Sequence, residues 1–141
     1  MNMNPIKVFL DSSVIIAGLA SAKGGSREIL NLAELGFLIP VISEEIVREV
    51  VRNIERKLPA CLAHYYQLFR ILPFIMAEPS EDSLAQAKEL INPHDALILA
   101  SALSSRADWL ISLDKHFLVL NNKELFMKIG TPEDFLESVL L

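Results

Sequence analysis

Four carboxylates stand at positions where chemistry is possible. Asp11 follows the apolar run Val8-Phe9-Leu10, and Asp114 follows Trp109-Leu110-Ile111-Ser112-Leu113. In open parallel sheets, ligands bind beyond the carboxyl ends of the strands. Each aspartate also has a plain structural use, since an aspartate after a strand can cap the next helix. Ser12 or Ser13 could cap there equally well. Asp95 heads a stripe with Ile98, Leu99 and Ala102 at i+3, i+4 and i+7. That stripe must face the core, and carboxylates are seldom buried without a partner. Asp95 is therefore expected to open into a pocket, or else to sit on the helix dipole and return a bond to the Asn92 amide. Glu49 lies mid-helix among Ile46, Val50 and Val51, where the ordinary reading is an exposed face pairing with Arg52 or Arg56. Glu45, one turn earlier, competes with it for any inward role.

Convergence of these acids would have a price in electrostatics. Two like charges about 4 Å apart repel by about 4 kcal/mol at an effective dielectric of about 20. Such a cluster must take up a proton or bind a cation. Oxygen-only ligands favour a hard ion, Mg²⁺ or Mn²⁺. Zinc fits poorly, because one cysteine and the scattered His64, His94 and His116 offer no ligand spacing of the usual kind. His94 reads as a loop residue. His116 reads as part of a solvated turn, though close enough to Asp114 to touch a substrate.

The elements that must position these groups alternate between strand-like and helix-like. Val8-Phe9-Leu10, 38–42, 74–77, 109–113 and 126–129 read as strands. Pro40 inside the second implies an edge position or a bulge. Ser26 is placed to cap a helix over 27–35, with Gly36 just past its end. Ser43 starts a helix to about Lys57, with Glu44 and Glu45 in its positive first turn. Pro59 breaks the chain before a stripe of Leu62, Tyr65, Tyr66, Phe69 and Leu72. Ser80 caps a helix over 81–91. Asn92 and Pro93 read as N-cap and first residue of the next helix, which is apolar all round at 96–100 and so buried. Thr131-Pro132-Glu133-Asp134 opens the last helix in the manner of a capping box. Uniformly apolar strands separated by helices indicate an α/β three-layer domain, with a parallel sheet of about five strands covered on both faces.

The length of 141 residues suits one domain spanning 1–141. A hydrophobic share of 52% excludes a disordered chain. The net charge of −5 excludes holding nucleic acid by bulk charge alone. The single Cys61 excludes an internal disulfide and suits a reducing cytoplasm. The polar start at 1–5 lacks the pattern of a secretory leader. No apolar run approaches the roughly 18 residues of a membrane span, so no membrane partner is expected.

The ordered set of segments resembles the PIN-domain family of metal-dependent ribonucleases. The resemblance is carried by 8–16, by Ser43 through Glu49, by Asp95-Ala96-Leu97-Ile98-Leu99-Ala100-Ser101-Ala102, and by Ala107-Asp108-Trp109-Leu110-Ile111-Ser112-Leu113-Asp114. It covers nearly the whole chain. Within the family the chain is similar to small prokaryotic VapC-like proteins, many of them toxins of type II toxin–antitoxin pairs.

That resemblance implies a sheet order of 3-2-1-4-5 and an acidic pocket of Asp11, Glu49, Asp95 and Asp114 holding Mg²⁺ or Mn²⁺. It implies that Ser12 and Ser112 are hydroxyl residues near the metal. It also implies an RNA substrate, a cognate antitoxin and a homodimer. Asp11, Asp95 and Asp114 would ligate directly or through water, with Glu49 acting through water or orienting the nucleophile. Lys23, Arg27, Arg48 and Arg52 are candidate contacts for the RNA backbone. Two positions depart from the family pattern: Ser13 stands where many relatives have Asn, and His116 where many have a further acid. The rival readings are a PIN-like module that binds RNA or protein without cutting, and a receiver-like Mg²⁺-binding phosphoacceptor domain.

Overall fold

Val8, Phe9 and Leu10 are all fully buried. Neighbouring residues of a strand point to opposite faces, so this strand is covered on both sides. It is β1 (Ile6–Leu10) and it is central. The protein is described by a computed structural model covering residues 5–57, 62–123 and 125–140. The break at Pro59 lies outside the described residues.

The chain continues as α1 (Ser12–Ala20), α2 (Gly25–Glu34), β2 (Leu38–Ser43), α3 (Glu44–Lys57), α4 (Leu62–Ile71), β3 (Ile75–Ala77) and α5 (Glu81–Lys88). It ends with α6 (Pro93–Ser104), β4 (Trp109–Ile111), α7 (Lys115–Leu118), a 3-10 turn (Val119–Asn122), β5 (Lys128–Gly130) and α8 (Pro132–Leu140). The five strands are parallel in the order β3-β2-β1-β4-β5. That is the expected order. It differs from the 2-1-3-4-5 arrangement of receiver-like domains, which removes that rival.

β1 pairs with β2 on one side (Phe9 opposite Val41) and with β4 on the other (Phe9 opposite Leu110). The carboxyl ends of β1, β2 and β4 therefore lie side by side, with Asp11 and Ser112 just past β1 and β4 and Ser43 ending β2 along one edge. α6 packs over β2 and β3, and α8 over β4 and β5. Phe9, Leu110, Ile98, Leu99 and Phe135 are among the core side chains that fill the layers.

Several boundaries differ from the sequence reading. α2 begins at Gly25, with Gly24 as N-cap at φ 97°, so Ser26 lies inside the helix. Its other end is as expected: Gly36 takes φ 82°, its N–H bonds to Ala33 O, and the Phe37 N–H bonds to Leu32 O at 2.9 Å. Pro40 is in an interior strand and is not bulged. It is tolerated because β3 is short and pairs with β2 only from Val41 onward, leaving Pro40 with a partner on the β1 side alone. The last strand starts at Lys128, and Phe126 is fully exposed before it. The helix after Ser80 ends at Lys88 rather than about Ile91. The Thr131 and Asp134 bonds are reciprocal, Asp134 N to Thr131 Oγ1 at 3.1 Å and Thr131 N to Asp134 Oδ2 at 2.9 Å.

Candidate active site

Asp11 is only 4% exposed. It stands at the N-cap position of α1, yet its side chain makes no capping bond. Its carboxylate turns instead to β4 and α1: Oδ2 accepts from Ser112 Oγ at 2.7 Å and from Ser13 Oγ at 2.8 Å. Burial raises the Asp11 carboxyl above its ordinary value, and the charge of Glu49 adds to the rise. The Ser112 and Ser13 hydroxyls pull it back down.

The other acids join this group through short polar side chains. Ser112 Oγ accepts the Asp114 N–H at 2.9 Å. Asp114 caps α7, its Oδ1 accepting the His116 N–H at 2.9 Å. The His116 ring reaches back, with Nδ1 3.1 Å from Asp95 Oδ2. Asp95 is the third residue of α6 and is held at the Asn92 cap: its N–H donates to Asn92 Oδ1 at 3.0 Å, and Asn92 Nδ2 donates to Asp95 Oδ2 at 2.6 Å. The return bond thus comes from the Asn92 side chain rather than from its backbone amide. His94, beside Asp95, places Nε2 3.3 Å from Glu49 Oε2, and Ser12 Oγ donates to Glu49 Oε1 at 2.9 Å. Ser12 adjoins Asp11, so the circuit closes. Four acids from four parts of the chain form one polar ring at the carboxyl edge of the sheet. Asp11 and Asp95 lie deepest, while the Asp114 side chain is 42% exposed.

Glu49, not Glu45, belongs to this ring. Glu45 Oε2 is buried without a hydrogen-bond partner, 3.5 Å from Arg48 Nη1, among Ser43, Glu78 and Ser101. Ser43 likewise makes no cap bond to α3 and has no partner for its hydroxyl. Of the candidate cations, Arg48 pairs with Glu44 at 2.8 Å. Arg52 and Arg56 are exposed on the same strip of α3. Lys23 is exposed and Arg27 is tied to Ser21 O at 2.9 Å. Both follow α1, whose nine residues carry the chain about 13 Å from Asp11.

Residues 7–116 match the family profile described as the PIN domain. The chain belongs to the PIN-domain family. No curated protein matches its sequence significantly. Among solved structures, this PIN domain is similar to a chain of VapBC2 from Rickettsia felis bound to a DNA fragment from its promoter. The TM-score there is 0.65 at 13% identity, covering 89% of this chain and 98% of that one. It is similar to a chain of DNA-bound VapBC from Salmonella typhimurium, with TM-score 0.64 at 20% identity over 90% of this chain and 98% of that one. It is also similar to PAE2754 from Pyrobaculum aerophilum, with TM-score 0.65 at 15% identity over 96% and 91%.

The donor chemistry of this PIN domain suits a hard divalent ion. The four acids offer oxygen, and no lysine or arginine pairs with them among the described residues. The arrangement is open rather than closed: among the described residues no three acid, histidine or cysteine side chains stand close enough to enclose an ion. Both histidines beside the ring differ from their sequence reading. His94 is helical, because Pro93 as first residue of α6 puts it in the first turn, a signal already present in the sequence. His116 is held in the first turn of α7 by the Asp114 cap rather than lying in a free turn. The sequence offers Ser13 as a helix cap and as the place of a missing Asn. Its hydroxyl in fact serves two groups, donating to Asp11 and accepting the Leu113 N–H at 3.1 Å.

Proposed function

We propose that this PIN domain is a metal-dependent ribonuclease that hydrolyses RNA phosphodiester bonds, and that it is the toxin of a toxin–antitoxin pair. The observation that carries the reading is the ring itself. Asp11, Glu49, Asp95 and Asp114 meet at one edge, and among the described residues no lysine or arginine neutralises them. A cluster of that kind needs a cation, and the oxygen donors of Asp11, Asp95 and Asp114 would hold Mg²⁺ or Mn²⁺. Bound there, the ion supplies an acidified water and charge for the phosphate.

The rest of the chemistry falls to the chain. Ser112 and Ser13 fix the direction of the Asp11 carboxylate. Ser12 holds Glu49 Oε1 and His94 stands 3.3 Å from Oε2, which fixes the carboxylate that would orient the water. Asp114 sits at the exposed rim of the ring, on the side open to a substrate. Arg48 and Arg52 on α3 would contact the RNA backbone next to the site. Lys23 and Arg27 would do so a few nucleotides farther on. The VapBC structures motivate an antitoxin protein as partner, and the apolar composition and family likeness motivate a homodimer as the assembly.

Cleavage of end-labelled RNA by the purified chain tests the reading. We expect cutting with Mg²⁺ or Mn²⁺, none with EDTA, and none from Asp11→Asn. An intact substrate under every condition, with the fold verified, would sink it. One observation favours a second reading, a module that binds RNA or protein without cutting: the open spacing of the acids. RNA retention without cleavage is its signature in the same assay. The toxin role is tested by arrested growth on expression, relieved by the product of the adjoining gene.

A further inference from the structure

A second hollow opens at the carboxyl edge of the sheet, apart from the ring. It lies between Ser43 at the end of β2, Glu44 and Glu45 at the start of α3, Glu78 past β3 and Ser101 of α6, and its volume is about 230 Å³. Ser101 stands two turns beyond Asp95, about 9 Å along the axis of α6. Two oxygens of the hollow are unsatisfied. Ser43 is 2% exposed, and its hydroxyl neither caps α3 nor meets any other group. Glu45 Oε2 is likewise buried without a hydrogen bond. Buried polar groups in folded proteins are nearly always paired, so two orphans in one hollow point to a group that meets them both.

The charge of the hollow selects that group. Glu44, Glu45 and Glu78 bring three carboxylates to it. Among the described residues only Arg48 pairs with any of them, at 2.8 Å from Glu44 Oε1 and 3.5 Å from Glu45 Oε2. Phosphate is repelled there and a cation is drawn in. A bare metal ion does not fit, because among the described residues no three acid, histidine or cysteine side chains stand close enough to hold one. A polyatomic cation can span such a gap. Guanidinium is planar and carries five donors in a fixed fork, so it serves several oxygens at once. It is also more weakly hydrated than an ammonium, so it enters a buried place more readily. We propose that this hollow binds one guanidinium group, held by Ser43 Oγ and the Glu45 carboxylate, with the exposed Glu44 and Glu78 at its rim. The site is separate from the acid ring and does not depend on the metal-dependent reading.

Methylguanidinium titrated into the ¹⁵N-labelled full chain, followed by NMR of the backbone amides, tests it. We expect saturable shifts centred on Ser43, Glu45, Glu78 and Ser101, with methylammonium binding about tenfold more weakly. Ser43→Ala and Glu45→Gln should each weaken binding by about tenfold, whereas Asp11→Asn should leave it unchanged. A capped Gly-Arg-Gly peptide that binds more tightly than methylguanidinium assigns the site to an arginine side chain of a partner protein, and equal affinity assigns it to a free guanidinium compound. Shifts confined to the ring of Asp11, Asp95 and Asp114, or no shifts at all, overturn the proposal. So does methylammonium binding as tightly as methylguanidinium. The wild-type map needs no variant, so a misfolded substitution cannot mask the result, and RNA cleavage remains a separate test of the nuclease reading.

Discussion

Ser112 donates its hydroxyl to Asp11 across 2.7 Å, although the two residues are 101 apart in the chain. The same oxygen accepts the Asp114 N–H. One hydroxyl thus ties the deepest acid of the ring to the most exposed one. Ser112 is fully buried, so nothing from solvent can replace it. Ser112→Ala removes a donor from a buried carboxylate and orphans a backbone amide. The expected loss is about 1–3 kcal/mol of folding stability, read by urea denaturation. Weaker Mn²⁺ binding should accompany it, because the freed Asp11 carboxylate loses its aim. Unchanged stability would mean that the bond contributes nothing.

Asp11 also makes stability depend on pH. Its folded carboxyl is raised above the unfolded value, chiefly by burial. The folded state therefore holds this proton more tightly than the unfolded chain does. Where that is so, stability falls as pH rises. In EDTA, the wild type should lose ground against Asp11→Asn as pH climbs from about 4 through the raised Asp11 value. Melting temperatures of the two proteins across that window check it. Parallel curves would show that Asp11 titrates as it does in the unfolded chain.

Glu45 and Glu49 should separate cleanly in kinetics. Glu49→Gln removes the carboxylate that Ser12 holds in the ring, with an expected loss of about 10²–10⁴-fold in RNA cleavage. Glu45→Gln should leave cleavage near wild type, because Glu45 faces Arg48 at 3.5 Å and lies outside the ring. Single-turnover assays measure both, with matched melting curves to verify the fold. Equal losses in the two variants would move the site one turn along α3.

Arg52 is exposed on α3 near the acids, and Lys23 is exposed beyond the far end of α1. Arg52→Glu and Lys23→Glu should each weaken RNA binding across sequences. Each should also lower the salt slope of binding by about 1. Metal affinity should stay unchanged in both. Fluorescence anisotropy over a salt series measures the slopes, and an unaltered slope removes that residue from the RNA path.

How much of this was legible depends on the scale of the signal. The central strand and α6 are uniformly apolar, so their burial could be read directly, and Asn92-Pro93 marked where α6 begins. Glu45 and Glu49 could not be told apart, because residues one turn apart share a helix face. Only the packing of α3 against α1 and α6, which brings Ser12 and His94 to Glu49, separates them. The four-residue α7 is too short for any periodicity, so the placement of His116 was hidden. Gly24 as a cap was hidden for another reason: Ser26 carries the stronger local preference, and the close approach of Gly25 to Glu133 and Pro132 of α8 is a tertiary contact with no local signal.

The pairing of Val8 with Trp109 sets a clock on the protein's birth. At about 5–20 residues per second, ribosomes need on the order of 5–20 s to travel from the first of these strands to the second. Throughout that interval β1 has no neighbour on its β4 side, and Asp11 has no Ser112 to meet. A nascent chain therefore lacks the ring of acids, which comes into being only once synthesis has passed Asp114.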